Sequence, residues 1–433
     1  MPGPAAPLPP PPPPAYGLGI RAYGLALRTA ALWRADARAW VRGRAEGTAA
    51  LARRLEGLPH PRVWMHCASL GEFEQGRPLL EALLADPAFA RDGRKPHAVV
   101  TFFSPSGHDV VAPRHPEWTV AYLPPDTAGD ARAFAAALDA DLGLVIKYEF
   151  WLHHLHAVAA HGTPLALVGA RFRPDQVFFG PAWPWRRWFR DGLRRFRHLF
   201  VQDEASRALL AGIGLGHAVR AGDPRFDRVL DVVASARLPE GLRAFAGDGP
   251  VLVAGSTWPE DERLLAGLAA ERLLPAGWRL ILAPHRVDAA HTDALMARLP
   301  PGALRWSRLG GAVPADARIL VVDAIGLLSA LYGLGRAAYV GGGFGTGIHN
   351  TLEPAAHGIP VAFGPRWRKF AEAGDLLERG AATEVRDADG LAAWFAGLPA
   401  NAERMGTAAA AYVREGAGGT ERMRAILAAD QAP

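Results

Sequence analysis

At 433 residues and 50% hydrophobic content, the chain has enough material for two ordinary domains with cores of their own. A single cysteine, Cys67, excludes a framework of intramolecular disulfides and fits a reducing compartment. The formal net charge of +5 is local: residues 1–62 carry nine arginines against Asp36, Glu46 and Glu56, so the rest of the chain is close to neutral. That distribution argues for an anionic partner at the amino end and against a protein that coats nucleic acid.

Residues 1–14, including PLPPPPPP, cannot pack and are expected as an exposed extended tail. They show neither the charged amino end nor the small-residue cleavage site of an export signal. Residues 15–45 are expected as a membrane-associated amphipathic helix, read chiefly from AYGLGIRAYGLALRTAALWRADARAWVR (15–42). Leu18, Ile20, Leu25, Leu27, Leu32, Trp33 and Trp40 are among its apolar positions, and Arg21 and Arg28, seven apart, share a face. Two arginines inside the run are costly in a spanning segment of about 20 apolar residues. A helix lying on an anionic membrane surface is therefore favoured, with docking on its own domain as the competing reading.

From residue 63, short β-rich runs alternate with helical ones, the pattern of a doubly wound parallel sheet. Strands are predicted at 63–69, 97–104, 119–125, 142–149, 164–170 and 198–203. After a polar break at 235–249 the alternation resumes, with strands at 251–256, 279–285, 317–323, 337–343 and 359–364. Two sheets of similar size suggest an α/β protein of two Rossmann-like domains facing across a cleft, 46–235 and 236–411. In such sheets ligands bind at the carboxyl ends of the strands.

Those ends hold the candidate chemistry. Ser69-Leu70-Gly71-Glu72 puts a carboxylate where a general base would stand, although Glu72 could equally cap the next helix. Lys147-Tyr148-Glu149-Phe150-Trp151 sets a cation and a carboxylate on one strand face, for binding or as a structural ion pair. In the second half Gly255-Ser256-Thr257, Pro284-His285-Arg286 and Asp323-Ala324-Ile325-Gly326 offer hydroxyls, a guanidinium suited to phosphate, and loop backbone. Ser256 and Asp323 are also ordinary helix caps. The stretch 340–365, VGGGFGTGIHNTLEPAAHGIPVAFGP, has glycines at 341, 342, 343, 345 and 347 that permit positive φ and close approach of a ligand. Asn350 is expected to cap a helix whose amino end attracts anions, with Glu353 in its first turn and Gly358 past its last. No GK[ST] follows and the spacing is not G-x-G-x-x-G, so the stretch is either a tight strand-to-helix turn or a phosphate floor of another kind.

The ordered set ASLGE (68–72), APHR (283–286), DAIG (323–326) and GTGIHNTLEPAAHGIPVAFGP (345–365) resembles the 3-deoxy-D-manno-octulosonic acid (Kdo) transferases of lipopolysaccharide assembly. The resemblance runs from the amino-terminal helix nearly to the end. It implies the GT-B glycosyltransferase fold and inverting transfer of Kdo from CMP-Kdo to a lipid A precursor, lipid IVA, at the cytoplasmic face of the inner membrane. By the same resemblance Glu72, in the family's S-L-G-E motif with Ser69 and Gly71, is the base that takes the proton of the acceptor hydroxyl. Pro284 and Arg286 match the nucleotide-binding P-R-H region, but the order here is Pro-His-Arg, which leaves the phosphate contact between His285 and Arg286. Ile325 and Gly326 match the segment that meets cytosine by its backbone. Asn350 and Glu353 match N-P-L-E, with Thr351 in place of proline, and bind phosphate and ribose. With Ser256 and Gly347 they complete one wall of a CMP site. Lys147 stands where the family's E-T-E-L-W has its first glutamate; the charge is reversed and its role does not carry over, while Glu149 keeps the second. By analogy with the GT-B fold, residues 412–433 return to the first domain.

CMP is already a good leaving group, so its departure needs charge stabilisation more than a proton donor, and no cofactor or metal is expected. Asp139-Ala140-Asp141 and Asp387-Ala388-Asp389 look like D-x-D metal motifs, but the first precedes a strand and the second begins a helix. His153, His154 and His156 diverge on a helix and make a poor metal site. The Arg- and Trp-rich stretch 171–200 would suit nucleic acid or a phosphorylated lipid, with folded packing accounting for at least half of its aromatics. The alternatives to a Kdo transferase are a GT-B enzyme using another nucleotide sugar and a non-catalytic basic protein that binds nucleic acid.

Overall fold

Runs such as RVWMHC and LGLVI are apolar or buried at nearly every position, as strands covered on both faces require. In the computed structural model, which describes residues 8–45, 47–180, 185–270, 274–275, 277–310, 313–314 and 316–431, they lie at the centre of a parallel sheet. The first seven residues of the proline tail, Glu46 and Trp183 lie outside the described residues. The chain divides into two units, Met1–Arg228 with Ala417–Pro433, and Val229–Gly416.

The sheet of the first unit has the order β3-β2-β1-β4-β5-β6-β7, all parallel. Its strands are β1 Arg62–Cys67, β2 His97–Phe102, β3 Thr119–Tyr122, β4 Leu142–Ile146, β5 Leu165–Ala170, β6 His198–Val201 and β7 Val219–Arg220. The strand order reverses between β1 and β4, which opens a crevice at their carboxyl ends. The second sheet, in the order β10-β11-β9-β8-β12-β13-β14, reverses between β8 and β12. It consists of β8 Val251–Thr257, β9 Arg279–Pro284, β10 Leu304–Arg305, β11 Ile319–Val321, β12 Ala337–Val340, β13 Val361–Phe363 and β14 Ala382–Glu384. All eleven expected strands form. β7, β10 and β14 were not anticipated; with two or three residues each, mostly only partly buried, they carry no legible period.

The helix expected over 15–42 is two helices, α1 Pro14–Ala30 and α2 Ala35–Gly43, followed by α3 Gly47–Leu55. The break at 31–34 is held by the Arg38 guanidinium, which donates to the carbonyls of Ala31 (3.2 Å) and Leu32 (3.3 Å). These are among the orphan acceptors at a helix end. α1 buries none of its residues fully. It is fixed by Tyr16, whose hydroxyl donates to Asp126 (2.5 Å) and accepts from the Leu152 N–H (3.2 Å). Burial raises the Asp126 carboxyl to about 7, against the donors that surround it. Both docking and exposure thus apply to α1: Tyr16 and Ile20 turn inward, while Leu18 (69% exposed) and Leu25 (66%) face outward beside Arg21 and Arg28. No helix among the described residues is long and apolar enough to cross a membrane.

The segment 235–249, read as a break, contains a helix, Glu240–Ala246, whose Leu242 and Phe245 enter the core of the second unit. The alanine-rich end forms one helix over Ala388–Gly416, in the second unit, and another over Gly419–Ala429, in the first. The latter puts Met423 and Leu427 into the core with Phe73, Leu80 and Phe200. Arg424 pairs with Asp86, and Asp430 meets His198 at 2.6 Å and Arg197 at 2.7 Å.

Candidate functional site

At the carboxyl end of β1 the chain turns through Ala68 and Ser69 into α4, Leu70–Ala85. Glu72 stands in the first turn of α4, and its Oε2 accepts the Ala68 N–H at 2.6 Å. It therefore does close the turn, as the capping alternative required, while its carboxyl is largely withdrawn from solvent. Burial raises its pKa and Glu149 adds to this; the Ala68 N–H, Lys147 and His66 pull the other way, and the net shift is upward. A carboxyl whose proton affinity is raised towards neutrality is a better base than an exposed one. Ser69 is the N-cap of α4 but makes no side-chain cap bond, which leaves its hydroxyl outside the helix-closing role.

Glu149 comes from the end of β4, the strand across the crevice. Lys147 and Glu149 do not share a strand face as expected: β4 ends at Ile146, and Lys147 takes φ 55, in the left-handed region, which turns the chain out of the sheet. Glu149 Oε2 accepts from Trp151 Nε1 (2.8 Å) and lies 3.4 Å from Nε2 of His66, a buried residue of β1. Burial alone would raise the Glu149 carboxyl, but the His66 and Trp151 contacts prevail and hold it below the usual range. Sequence reasoning missed His66. Its signal was available, a polar residue in the middle of an otherwise apolar strand.

In the second unit the ends of β8, β9 and β12 come together. Ser256 has φ 53, and the β8–β9 register shifts between Gly255 and Thr257. Trp258, just beyond, donates from Nε1 to His349 Nε2 (2.9 Å), and the His285 ring stacks on both, 4.7 Å from each centroid. Pro284 is buried at the end of β9, whereas Arg286 is exposed and pairs with Asp288 at 3.0 Å. His285, although stacked, is exposed as well, so both side chains remain open to an anion. Ile325 is 83% exposed, and Gly326 has φ 90 with open space around it. Asp323, by contrast, is spent on Arg305 (2.5 Å) and Ser307.

The glycine stretch is shaped first by packing. A Cβ on Gly343 would lie 2.5 Å from the Gly364 Cα, and one on Gly341 would strike the Ser256 carbonyl. These glycines admit protein backbone rather than bare approach by a ligand. Asp261 ties the stretch down: its carboxylate accepts from the N–H groups of Trp258 (2.9 Å) and Gly342 (2.8 Å) and from the Tyr339 hydroxyl (2.8 Å). Burial raises the Asp261 carboxyl, more than these donors lower it. The short helix expected after Asn350 spans Leu352–Ala356, with Thr351 at its N-cap. Asn350 still caps, through Oδ1 to the Leu352 N–H (3.0 Å), and its amide donates to Glu353 (2.9 Å). Gly347, at φ 139, returns its N–H to the Gly342 carbonyl.

The acidic pairs have other partners. Asp139 and Asp141 face His60, and Asp141 also meets Arg91; Asp387 accepts the Gly390 N–H. His153 and His154 are buried beneath α1 and beside Pro124. Among the described residues no three His, Cys, Asp or Glu side chains are grouped as metal ligands. In the stretch 171–200, Phe172, Phe178 and Phe196 are core residues, and Arg186 and Arg190 donate to the carbonyls of Gly180 and Phe178.

Two parallel α/β domains of this order are found in solved structures of similar fold. A putative UDP-N-acetylglucosamine 2-epimerase from Listeria monocytogenes matches with a TM-score of 0.57 and 14% identity, covering 85% of this chain and 96% of that one. A glycosyltransferase from Rickettsia africae matches with a TM-score of 0.53 and 10% identity, covering 86% and 99%. The fold is that of the GT-B glycosyltransferases, and the protein is a glycosyltransferase. Residues 41–228 match the family model described as 3-deoxy-D-manno-octulosonic-acid transferase. A 3-deoxy-D-manno-octulosonic acid transferase from Bordetella pertussis is 29% identical over 438 aligned residues, 94% of this chain and 98% of that protein. Over nearly its full length the chain is similar to Kdo transferases.

Proposed function

We propose that the protein moves Kdo from CMP-Kdo to a lipid A precursor, lipid IVA, by a single inverting displacement. The observation that carries this reading is the withdrawn carboxyl of Glu72 at the β1–β4 crevice, in a chain similar to a Kdo transferase over nearly its full length. Glu72 takes the proton of the acceptor hydroxyl as that oxygen attacks the anomeric carbon and CMP departs. The first unit takes the acceptor, with Ser69, Gly71, Lys147 and Glu149 lining its side of the reaction. The second takes the CMP-sugar: Arg286 and Asn350 meet phosphate, Glu353 the ribose, and the backbone at Ile325 and Gly326 the base, over a floor of Ser256, Pro284, His285 and Gly347. Charge on the departing phosphate is met by these groups without a metal.

The same reading places the enzyme on the cytoplasmic face of the inner membrane. The outward face of α1 carries Leu18 and Leu25, with Arg21 and Arg28 at its flank, and exposed Leu32 and Trp33 continue it. Apolar side chains in the acyl boundary and arginines on anionic headgroups suit an interfacial helix. Changing Leu18 and Leu25 together to Ser is expected to weaken sedimentation with phosphatidylglycerol vesicles by roughly tenfold or more. Equal sedimentation of the variant would remove α1 from the membrane contact. The function itself is tested by incubating the purified protein with CMP-Kdo generated in situ and lipid IVA, and weighing the product by mass spectrometry. A mass gain of Kdo units is expected, and their number is read from the same spectrum. No gain where a known Kdo transferase gives one would overturn the reading in favour of another nucleotide sugar.

A further inference from the structure

Of the nine arginines in residues 1–62, the membrane contact of α1 uses only Arg21 and Arg28. Three others line one cavity of about 230 Å³ at the carboxyl end of β3: Arg42 in the last turn of α2, Arg44 at its C-cap and Arg54 in the last turn of α3. Among the described residues, none that lines this cavity is acidic.

Arg44 is half-buried and fixed by carbonyls. Its Nε donates to the Leu123 carbonyl (2.9 Å), its Nη2 to that of Phe103 (2.8 Å) and its Nη1 to that of Trp40 (3.4 Å). The guanidinium carbon lies 4.0 Å from the centroid of the Trp40 ring and 5.3 Å from that of Tyr122. Carbonyl dipoles and ring faces hold the cation in place, but they bring no counter-charge. Burial lowers its pKa to about 10, so it stays charged at neutral pH. Gly43 allows α2 this close, since a Cβ there would strike the Tyr122 ring. On the other side of that ring system His108 stacks at 4.2 Å, and Asp109 is engaged by His108 Nδ1 (3.0 Å) and the Tyr122 hydroxyl (3.1 Å). Arg42 and Arg54 are exposed, and among the described residues neither is paired with a carboxylate.

We propose that this cavity is the subsite for a phosphate ester of the acceptor, with Arg42 and Arg54 as its open donors and Arg44 as its fixed charge. The inference rests on the reading of lipid IVA, whose sugars carry phosphate esters, as the acceptor. A guanidinium offers paired N–H donors that match phosphate oxygens. In the order β3-β2-β1, two strand spacings put the end of β3 about 10 Å from the end of β1, where Ser69 and Glu72 stand. A disaccharide head group spans such a distance, so one acceptor reaches both places, a hydroxyl at Glu72 and a phosphate at the arginines. A membrane phospholipid offers the same ester chemistry, and the test separates the two sources.

The whole chain and its variants R42Q, R54Q and R42Q/R54Q are assayed with lipid IVA and with each of its two singly dephosphorylated forms. In the wild type, removal of one of the two phosphates is expected to raise the acceptor KM by about tenfold or more. The double variant is expected to show a similar rise with intact lipid IVA, an unchanged KM for CMP-Kdo, and little further loss when that phosphate is removed. A double variant that discriminates among the acceptors as the wild type does overturns the inference. So does one that loses sedimentation with phosphatidylglycerol vesicles yet, in calorimetry, binds the deacylated bisphosphorylated disaccharide as tightly as the wild type; the arginines then serve the membrane. Both side chains are exposed and the variants are expected to fold, as circular dichroism checks; should the double variant fail, the single ones decide. If the wild type adds no Kdo to lipid IVA, the transfer reading fails and calorimetry still decides the cavity: lost disaccharide binding in the double variant supports a phosphate-ester site, and equal binding removes it.

Discussion

Glu72→Gln is expected to lower kcat for Kdo transfer by about 10²–10⁴-fold, the usual worth of a general base, with little change in the KM for CMP-Kdo. The amide fills the same space and its oxygen can still accept the Ala68 N–H, so the turn into α4 survives. Stability should not suffer. The folded-state pKa of Glu72 is raised, chiefly by burial, so whatever the side chain contributes to stability is full below its unfolded pKa and lost as pH rises through the folded one. At neutral pH the ionised carboxyl is the costly form, and removing it should leave the midpoint of thermal unfolding level or slightly higher. In the wild type, kcat should fall as pH drops through a value above the ordinary carboxylate range. Full transfer by E72Q, or an acid limb at the pKa of an exposed glutamate, would refute the assignment.

Asp261→Ala should be the most damaging single change in the second unit. It strands the N–H groups of Trp258 and Gly342 and the Tyr339 hydroxyl, all in or beside buried positions. An unsatisfied buried donor costs about 1–3 kcal/mol. Relief of the buried charge, visible in the raised Asp261 carboxyl, offsets part of that. A net loss of roughly 3 kcal/mol is expected in urea unfolding of the whole chain. Because Gly342 belongs to the glycine stretch, the KM for CMP-Kdo should rise before that for the acceptor. A stability loss below about 1 kcal/mol would mean that water or relaxation satisfies all three donors.

Most of the architecture was legible because parallel strands covered on both faces must be apolar along their length, and VWMHC, LGLVI and RLILAP advertise themselves. The break between α1 and α2 was not legible: Leu32-Trp33-Arg34 contains neither glycine nor proline, and what ends α1 is a guanidinium several residues away. The place of Glu72, at a strand end and in a first turn, could be read from its neighbours in sequence. Its electrostatic setting could not, since His66 and Thr101 come from β1 and β2 and Glu149 from the turn after β4. The Trp258–His349 bond joins residues 91 apart, which no local pattern announces. Nor did glycine content reveal that Gly343 and Gly364 are needed to let two strand ends touch.

The helix Gly419–Ala429 lies more than 180 residues beyond the rest of the unit it completes. Met423 and Leu427 belong to the same core as Phe73, Leu79, Leu80 and Leu83 of α4 and Val63 and Met65 of β1, and Asp86 and His198 pair with Arg424 and Asp430. During translation, the first unit to emerge is thus the last to be finished. The ribosome delivers all of the second unit before Met423 and Leu427 can join the core of the first. A nascent chain stalled before residue 417, or a fragment ending at residue 228, lacks the two side chains that pack with Phe73, Leu80 and Phe200.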